Sequence, residues 1–150
     1  MSAAKALYIL IWQTRPLLQQ INAAVESALI GTGLSLRMRA VLELLLSEGA
    51  MTVPTLARRL EIQRQYVQVM VNETCAARLT ELQPNPAHRR SSLVALTRHG
   101  RRVIARVRDA ESKVLTRIAR KLPESKVRAA LEIQNELLTA FRTINSGANR

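Results

Sequence analysis

The sequence has few of the residues that build catalytic, metal or disulfide sites. Its 150 residues include one cysteine, Cys75, and two histidines, His88 and His99. A single cysteine excludes an intrachain disulfide and a cysteine-based zinc cluster, and neither histidine has a carboxylate or cysteine at ligand spacing. A glycine-rich phosphate loop, a Ser-His-Asp set and a paired-carboxylate motif are also missing. The sequence therefore predicts a protein without a cofactor or a metal, and one that is not an enzyme.

Aromatic residues and long hydrophobic runs are scarce as well. Hydrophobic residues make up 47% of the sequence, but only four residues are aromatic. The core must therefore consist of Leu, Val, Ile and Ala, a composition that favours packed helices. The most membrane-like stretch, "ALYILIW" (6–12), is too short to span a bilayer and has no small-residue cleavage site after it. We therefore expect a soluble, cytoplasmic, mainly α-helical protein that forms one domain over 1–150 and does not bind a membrane.

Acidic residues are outnumbered two to one, with 11 Asp and Glu against 23 Lys and Arg, for a net charge of +12. Such an excess indicates a polyanionic partner. The stretch 53–108 alone holds eleven arginines against three glutamates, a local net charge of +8. A membrane surface is the weaker alternative, because no basic amphipathic helix here also displays an exposed aromatic or leucine face. The sequence therefore favours nucleic acid as the partner.

Apolar residues recur at helical spacing through the first half of the chain. A first helix is predicted over 3–30, where Pro16 marks either a kink or a helix start, and a second over Leu36–Ser47. In "MTVPTLARRL" (51–60), Thr52 is a plausible N-cap and Pro54 lies in the first turn of a third helix.

The next segment, "QRQYVQVMVNETCAARL" (63–79), predicts a fourth helix whose apolar face includes Val67, Met70 and Val71 and extends to Arg78 and Leu79. Two short helices with so tight a connection indicate a helix-turn-helix.

After the fourth helix, the helical spacing of apolar residues gives way to short segments of extended character. "TELQ" (80–83) and "SLVAL" (92–96) flank eight residues with two prolines and an asparagine, which predicts a hairpin with a long tip. Helical spacing returns after Thr97, is interrupted at Pro123 and continues to Ile144. The predicted fold is a mainly α winged helix-turn-helix over 34–103, in which the hairpin is the wing, flanked by long helices over 3–30 and 104–145.

These residues resemble the core of a multiple antibiotic resistance regulator (MarR-type) transcription factor. The resemblance rests on five features: Gly49 at a helix end, a "T…LA..L" helix at Thr52–Leu60, Arg64, Gln65 and Val67 in the recognition helix, Arg89 and Arg90 in the wing, and Leu96, Thr97 and Gly100 after it. It implies a homodimer on a palindromic DNA operator, held together by the two flanking helical segments. It also implies that Arg90, with Arg89 beside it, enters the minor groove.

Such regulators commonly bind a small, often aromatic, anionic effector. We therefore expect a sequence-specific repressor that such a ligand relieves. The alternative is a non-specific architectural protein that binds nucleic acid through the same charge.

The candidate DNA contacts lie on the recognition helix and the wing. Glutamine pairs bidentately with adenine, arginine with guanine, and valine contacts the thymine methyl group. The expected contacts are Arg64, Gln65, Gln68, Val69, Asn72, His88, Arg89 and Arg90. Ordinary solvent-facing polar residues are the alternative for this set, and Tyr66 is equally consistent with packing or a phosphate contact.

Two positions depart from the family pattern. In the wing, His88 stands where the family has an acidic residue, so the wing must be held differently. At the start of the recognition helix, Gln63 stands where the family has a capping Ser or Thr, and glutamine is a weaker cap. Cys75 is expected to be a small buried residue rather than a redox sensor, which would need a lowered pKa and solvent access.

Overall fold

The computed structural model describes residues 1–88 and 90–147, which form six helices and one two-stranded hairpin. The elements are α1 (Ala3–Leu29), α2 (Leu36–Glu48), α3 (Val53–Leu60), α4 (Arg64–Ala76), β1 (Thr80–Gln83), β2 (Leu93–Leu96), α5 (Arg98–Ala119) and α6 (Glu124–Gly147). The mainly α winged helix-turn-helix predicted from the sequence is confirmed.

The chain divides into two compact units, Met1–Ala110 and Glu111–Arg150. The expected division of a single domain into a lobe over 34–103 and dimerisation helices over 3–30 and 104–145 stays a prediction.

The residues at the ends of α3 and α4 determine where the helix-turn-helix begins and where its turn lies. The Thr52 side chain accepts a hydrogen bond from the Thr55 amide at 3.3 Å, with Pro54 in the first turn of α3, as predicted. Glu61 adopts φ 55° and ends α3, and Gln63 precedes α4 without a side-chain capping bond. The predicted weak cap of the recognition helix is therefore confirmed.

Two expectations about helix ends are resolved by the structure. Helix α1 runs through Pro16 without interruption, so Pro16 does not start a helix. The expectation that the apolar face of α4 continues to Arg78 is wrong, because α4 ends at Ala76 and Arg78 is exposed with φ 55°. Leu79 is buried, as expected, but it lies beyond the helix.

The core of the first unit consists of two clusters that meet at α2. Val41 and Leu45 of α2 pack in one cluster with Leu56 and Val67, which joins α2 to the helix-turn-helix. Leu42 of α2 belongs to the other, whose further members are Val25, Leu29, Leu34, Leu79, Ile104 and Val107. Burial of each large aliphatic side chain stabilises the fold by about 1.5–3 kcal/mol. Helix α2 is thus the central packing element of this unit.

The stem of the wing consists of two strands and one additional backbone bridge. β1 and β2 pair antiparallel from Thr80 opposite Leu96 to Gln83 opposite Leu93. Met51, in the loop between α2 and α3, forms an isolated bridge with Val94 through hydrogen bonds of 2.9 and 3.1 Å. The base of the wing is therefore tied to the start of α3.

The "LT..G" motif joins the wing to α5. The Thr97 hydroxyl donates to the Arg78 carbonyl at 2.8 Å and accepts from the Gly100 amide at 2.9 Å, the bond that an N-cap side chain makes. A Cβ atom on Gly100 would lie 1.9 Å from the Leu79 carbonyl oxygen. Only glycine therefore allows α5 to pack this closely against the backbone before β1.

Helix α6 of the second unit has no buried residue. Most of its large apolar side chains are exposed, with Leu131 at 58% and Phe141 at 46%. No helix among residues 1–88 and 90–147 combines the length and apolar character that a bilayer crossing requires.

Candidate nucleic-acid interface

Helix α4 has one buried and one exposed face. Val67, Met70, Val71 and Thr74 are at most 2% exposed. The candidate contact residues of this helix are all exposed: Arg64, Gln65, Gln68, Val69 and Asn72. Val69 is an apolar side chain with 45% of its surface in solvent. This face therefore has the accessibility that groove contacts require.

Two amides on this face are joined to each other. The Gln68 Nε2 group donates to Asn72 Oδ1 at 2.9 Å, one helical turn away. Each side chain keeps polar atoms for a partner, since an amide offers two donor hydrogens and one acceptor oxygen. The hydrogen bond orders both amides before any DNA is bound.

The N-terminal end of α4 borders an open cleft of about 810 Å³ against α3. Tyr66 lines this cleft with half of its surface exposed, so it is not a core residue. Arg58, whose guanidinium donates to the Thr55 hydroxyl at 3.2 Å, and Arg64 line it as well. Because Gln63 gives no side-chain cap, the first amides of α4 keep their donor capacity for solvent or an anion.

The tip of the wing is organised by Asn85. Its Oδ1 accepts from the Ala87 amide at 3.0 Å, and its Nδ2 group donates to the Ser91 hydroxyl at 3.1 Å. The His88 amide also donates to the Asn85 carbonyl. The tip is thus held by an asparagine turn rather than by an acid at position 88.

His88 and Arg90 are both exposed at this tip. Arg89 lies outside the described residues. The expected contact of all three with DNA stays a prediction.

Three ion pairs join α2 to α3, α4 and α5. Arg37 of α2 binds Glu73 of α4 through two hydrogen bonds, one of 2.8 Å from Nε to Oε2. Because Glu73 lies on α4, this pair contributes to the placement of the recognition helix.

The other two pairs use glutamates of α2. Glu43 binds Arg108 of α5 at 2.9 Å, and Glu48 binds Arg59 of α3. The hydrogen bonds from Arg59 to Glu48, followed by the attraction of the two charges, raise the pKa of Arg59 above its ordinary value. The pair with Glu48 therefore favours the charged form of Arg59.

Cys75 is half-buried beside the core rather than fully enclosed. Its Sγ lies 3.3 Å from the Thr80 hydroxyl, which in turn lies 2.7 Å from the Thr74 hydroxyl. The sequence predicts a small buried residue at this position, whereas the structure leaves Cys75 half-buried against the core.

Sequence reasoning missed the supporting contacts of this surface. Arg37 and Glu73 are 36 positions apart, and nothing local marks them as a pair. The turn at Asn85 had a detectable signal, since asparagine between two prolines favours a side-chain-closed turn.

Comparisons with known proteins agree with this geometry. The model of the MarR family matches residues 32–91. The crystal structure of the MarR family transcription regulator SP03579 is 31% identical, with a TM-score of 0.87 and coverage of 95% of both chains. An uncharacterized protein of Mycobacterium tuberculosis is 35% identical over 96 residues, which are 64% of this chain and 67% of that protein.

The same fold is found in a DNA-bound structure. The chain of the Staphylococcus aureus MepR–DNA complex superposes with a TM-score of 0.77 at 12% identity, covering 87% of this chain and 96% of that one.

Proposed function

The chain belongs to the MarR family of DNA-binding transcription regulators, and we propose that it acts as a homodimeric repressor on a palindromic operator. The exposed face of α4 carries this proposal, because its two amides are ordered by their own hydrogen bond and remain accessible. Gln68 and Asn72 recognise base edges in the major groove. Since operator DNA is the partner, the cytoplasm is the proposed location.

The wing supplies the second contact. Arg90 enters the adjacent minor groove from a tip that Asn85 orders. The bridge between Met51 and Val94 ties the stem of the wing to the helix-turn-helix, which supports simultaneous binding by wing and recognition helix. The DNA complex of the MepR relative, which has the same fold, supports DNA as the partner.

Exposed apolar stripes support the homodimer. In α1, side chains at helical spacing continue the line of the buried Val25 and Leu29 but lie in solvent: Leu7, Leu10, Leu17, Leu18 and Ile21. In α6 a stripe with the same spacing is exposed: Val127, Leu131, Leu138 and Phe141. Contiguous exposed apolar surface of this kind marks an association site, and a second copy of the chain is the proposed partner.

Relief of repression by a small anionic or aromatic effector is the last part of the proposal. A groove of about 430 Å³ along α2 is lined by the apolar Leu36, Ala40 and Leu44, with Arg39 and Glu43 beside them. An apolar surface with a few polar groups suits a small aromatic ligand. Because α2 is joined to α3, α4 and α5 through ion pairs, a ligand there acts on the recognition helix through α2.

The test begins with duplexes selected by the protein from a random-sequence pool. We expect one palindromic consensus, with each wrong base pair costing about 1–3 kcal/mol. Replacement Gln68→Ala should relax discrimination at one or two base pairs of each half-site. Replacement Arg90→Ala should weaken binding to every duplex and reduce the salt dependence.

Replacement Arg128→Ala is the matched control, because Arg128 is exposed on α6 and pairs with Glu124; it should leave both properties unchanged. Selection of no preferred sequence would contradict the repressor and support the non-specific architectural alternative. An unchanged affinity in the Arg90→Ala variant would contradict the assignment of the wing contact.

A further inference from the structure

Three arginines form a row along the exposed side of α5. Arg98, Arg102 and Arg106 follow one another at intervals of four residues, and all are exposed. With 3.6 residues per turn they occupy one side of the helix, opposite the buried Ile104 and Val107. At 1.5 Å of rise per residue the row is about 12 Å long. We call these three residues the arginine ladder.

The ladder is electrostatically unfavourable in the free chain. Helix α5 has no acidic residue in its first turn, so Arg98 adds positive charge to the positive end of the helix dipole. Like charges four residues apart on a helix also repel each other. Asp109 follows Arg106 by three positions, yet no hydrogen bond or ion pair joins a ladder guanidinium to any described residue.

Other arginines of the same unit are neutralised. Arg37, Arg59 and Arg108 each bind a glutamate of a neighbouring helix. Three glutamates of this unit therefore pair with arginines of neighbouring helices, and the ladder keeps its charge towards solvent. An uncompensated row of this kind suits a polyanion that approaches from outside.

We propose that the arginine ladder binds the phosphate backbone of DNA that flanks the base pairs contacted by α4 and the wing. This proposal rests on the proposed function. Its placement follows from Thr97, which ties the start of α5 to the Arg78 carbonyl just beyond α4 and directly follows β2 of the wing. The ladder thus begins at the base of the wing.

The charge densities of the two surfaces are compatible. Duplex DNA carries one negative charge per about 1.7 Å of its axis, so about 12 Å of ladder faces about seven phosphate charges. Guanidinium groups bind phosphate oxygens bidentately. The ladder then extends the DNA footprint without adding sequence discrimination.

The test compares the wild-type protein with a triple variant, Arg98→Gln, Arg102→Gln and Arg106→Gln. The probes are a duplex recovered by the wild-type protein from a random pool and the same duplex trimmed of its flanks. Fluorescence anisotropy gives the dissociation constant of each between about 50 and 200 mM salt, the range over which phosphate contacts are salt-sensitive.

The slope of the logarithm of the binding constant against the logarithm of the salt concentration measures the number of phosphate contacts. We expect this slope to become shallower in the triple variant by about 0.9 for each lost contact, or about 2.7 for each ladder. Between 50 and 200 mM salt that difference corresponds to about a 40-fold change in affinity. The variant should also bind the trimmed and full duplexes equally, whereas the wild-type protein should prefer the full duplex. Its consensus sequence should not change.

Two further variants serve as controls. Replacement of the exposed Arg117, Arg120 and Arg128 by Gln removes the same charge elsewhere and should keep the wild-type slope. Replacement of the three ladder residues by Lys keeps the charge and should keep most of the slope. If the triple Gln variant does not fold, the single Arg102→Gln variant should lose about 0.9 in slope.

A wild-type slope and a wild-type dependence on the flanks in the folded Gln variant would overturn the ladder as a DNA contact. Failure of the proposed function has a different signature, because the wild-type protein would then select no consensus.

Discussion

Gly100 is the residue at which α5 comes closest to the chain that precedes β1. A methyl group there would lie 1.9 Å from the Leu79 carbonyl oxygen and 2.8 Å from its carbon. Both are backbone atoms, so neither can rotate away. The position is fixed further by the bond between the Gly100 amide and the Thr97 hydroxyl.

Replacement Gly100→Ala should therefore destabilise the protein, by about 1–3 kcal/mol or more as overpacking does, in urea unfolding followed by circular dichroism. Replacement Gly147→Ala is the control, because nothing lies within 4 Å of a Cβ at that position, and it should leave the unfolding midpoint nearly unchanged. Equal midpoints for the two variants would show that α5 moves away from Leu79 at little cost.

At the tip of the wing, Asn85 rather than residue 88 holds the turn. The family pattern has an acid at this position of the wing, whereas here the turn is closed by the side chain of Asn85. With the turn held from that side, position 88 is released from a structural role, and the exposed His88 lies two positions before the exposed Arg90.

At the scale of elements, the recognition helix is the least well capped of the short helices. Ser35 and Thr52 cap α2 and α3 with side-chain hydrogen bonds, whereas Gln63 makes none for α4. The backbone of Gln63, at φ −63° and ψ 138°, is nevertheless that of an ordinary N-cap residue. A residue with a short oxygen-bearing side chain would fit the same geometry.

Replacement Gln63→Ser should thus raise the free energy of unfolding by about 0.5–2 kcal/mol. Replacement Gln63→Ala is the control and should change little, because no capping bond is lost. Thermal and urea unfolding measure both. A Ser variant no more stable than the Ala variant would mean that the first turn of α4 is already satisfied by another group.

Elements with local signals were predicted well from the sequence. The cap at Thr52 and the strand "TELQ" lie where they were expected, because capping and turn chemistry act within a few residues. The end of α4 was misplaced, since Arg78 leaves the helical conformation where its carbonyl accepts from Thr97, 19 positions away. No local pattern contains that contact.

The candidate site also combines features that residue spacing predicts with features that it does not. Exposure of the polar face of α4 followed from helical spacing alone, because Val67, Met70 and Val71 had to be buried. The bond between Gln68 and Asn72 depends on side-chain rotamers, and the pair of Arg37 and Glu73 depends on how α2 crosses α4. Neither kind of information is present in residue spacing.

At the scale of the whole molecule, α1 and α6 each leave a stripe of large apolar side chains in solvent, which is more apolar exposure than a monomer needs. Leu131 and Phe141 lie on one side of α6 with about half of their surface in solvent. Removal of this surface from water on association is worth about 25 cal/mol for each Å². The folded protomer alone does not obtain that free energy.

A homodimer should therefore show a melting temperature that rises with protein concentration. Replacement Leu131→Glu should shift the mass measured by light scattering to that of one chain and remove the concentration dependence. Replacement Thr139→Glu, at an exposed polar position of the same helix, introduces the same charge and should leave a dimer. A wild-type protein that is monomeric at every concentration would contradict this prediction.

The bridge between Met51 and Val94 has a consequence for how such a protein can diverge. The two hydrogen bonds fix the stem of the wing next to the start of α3, so changes beyond Gln83 and before Leu93 do not displace the stem. Residues 84–92 can therefore gain or lose length while the recognition helix keeps its place. In the proposed complex, the reach of the wing along DNA is adjustable by insertion and deletion, independently of the sequence that α4 selects.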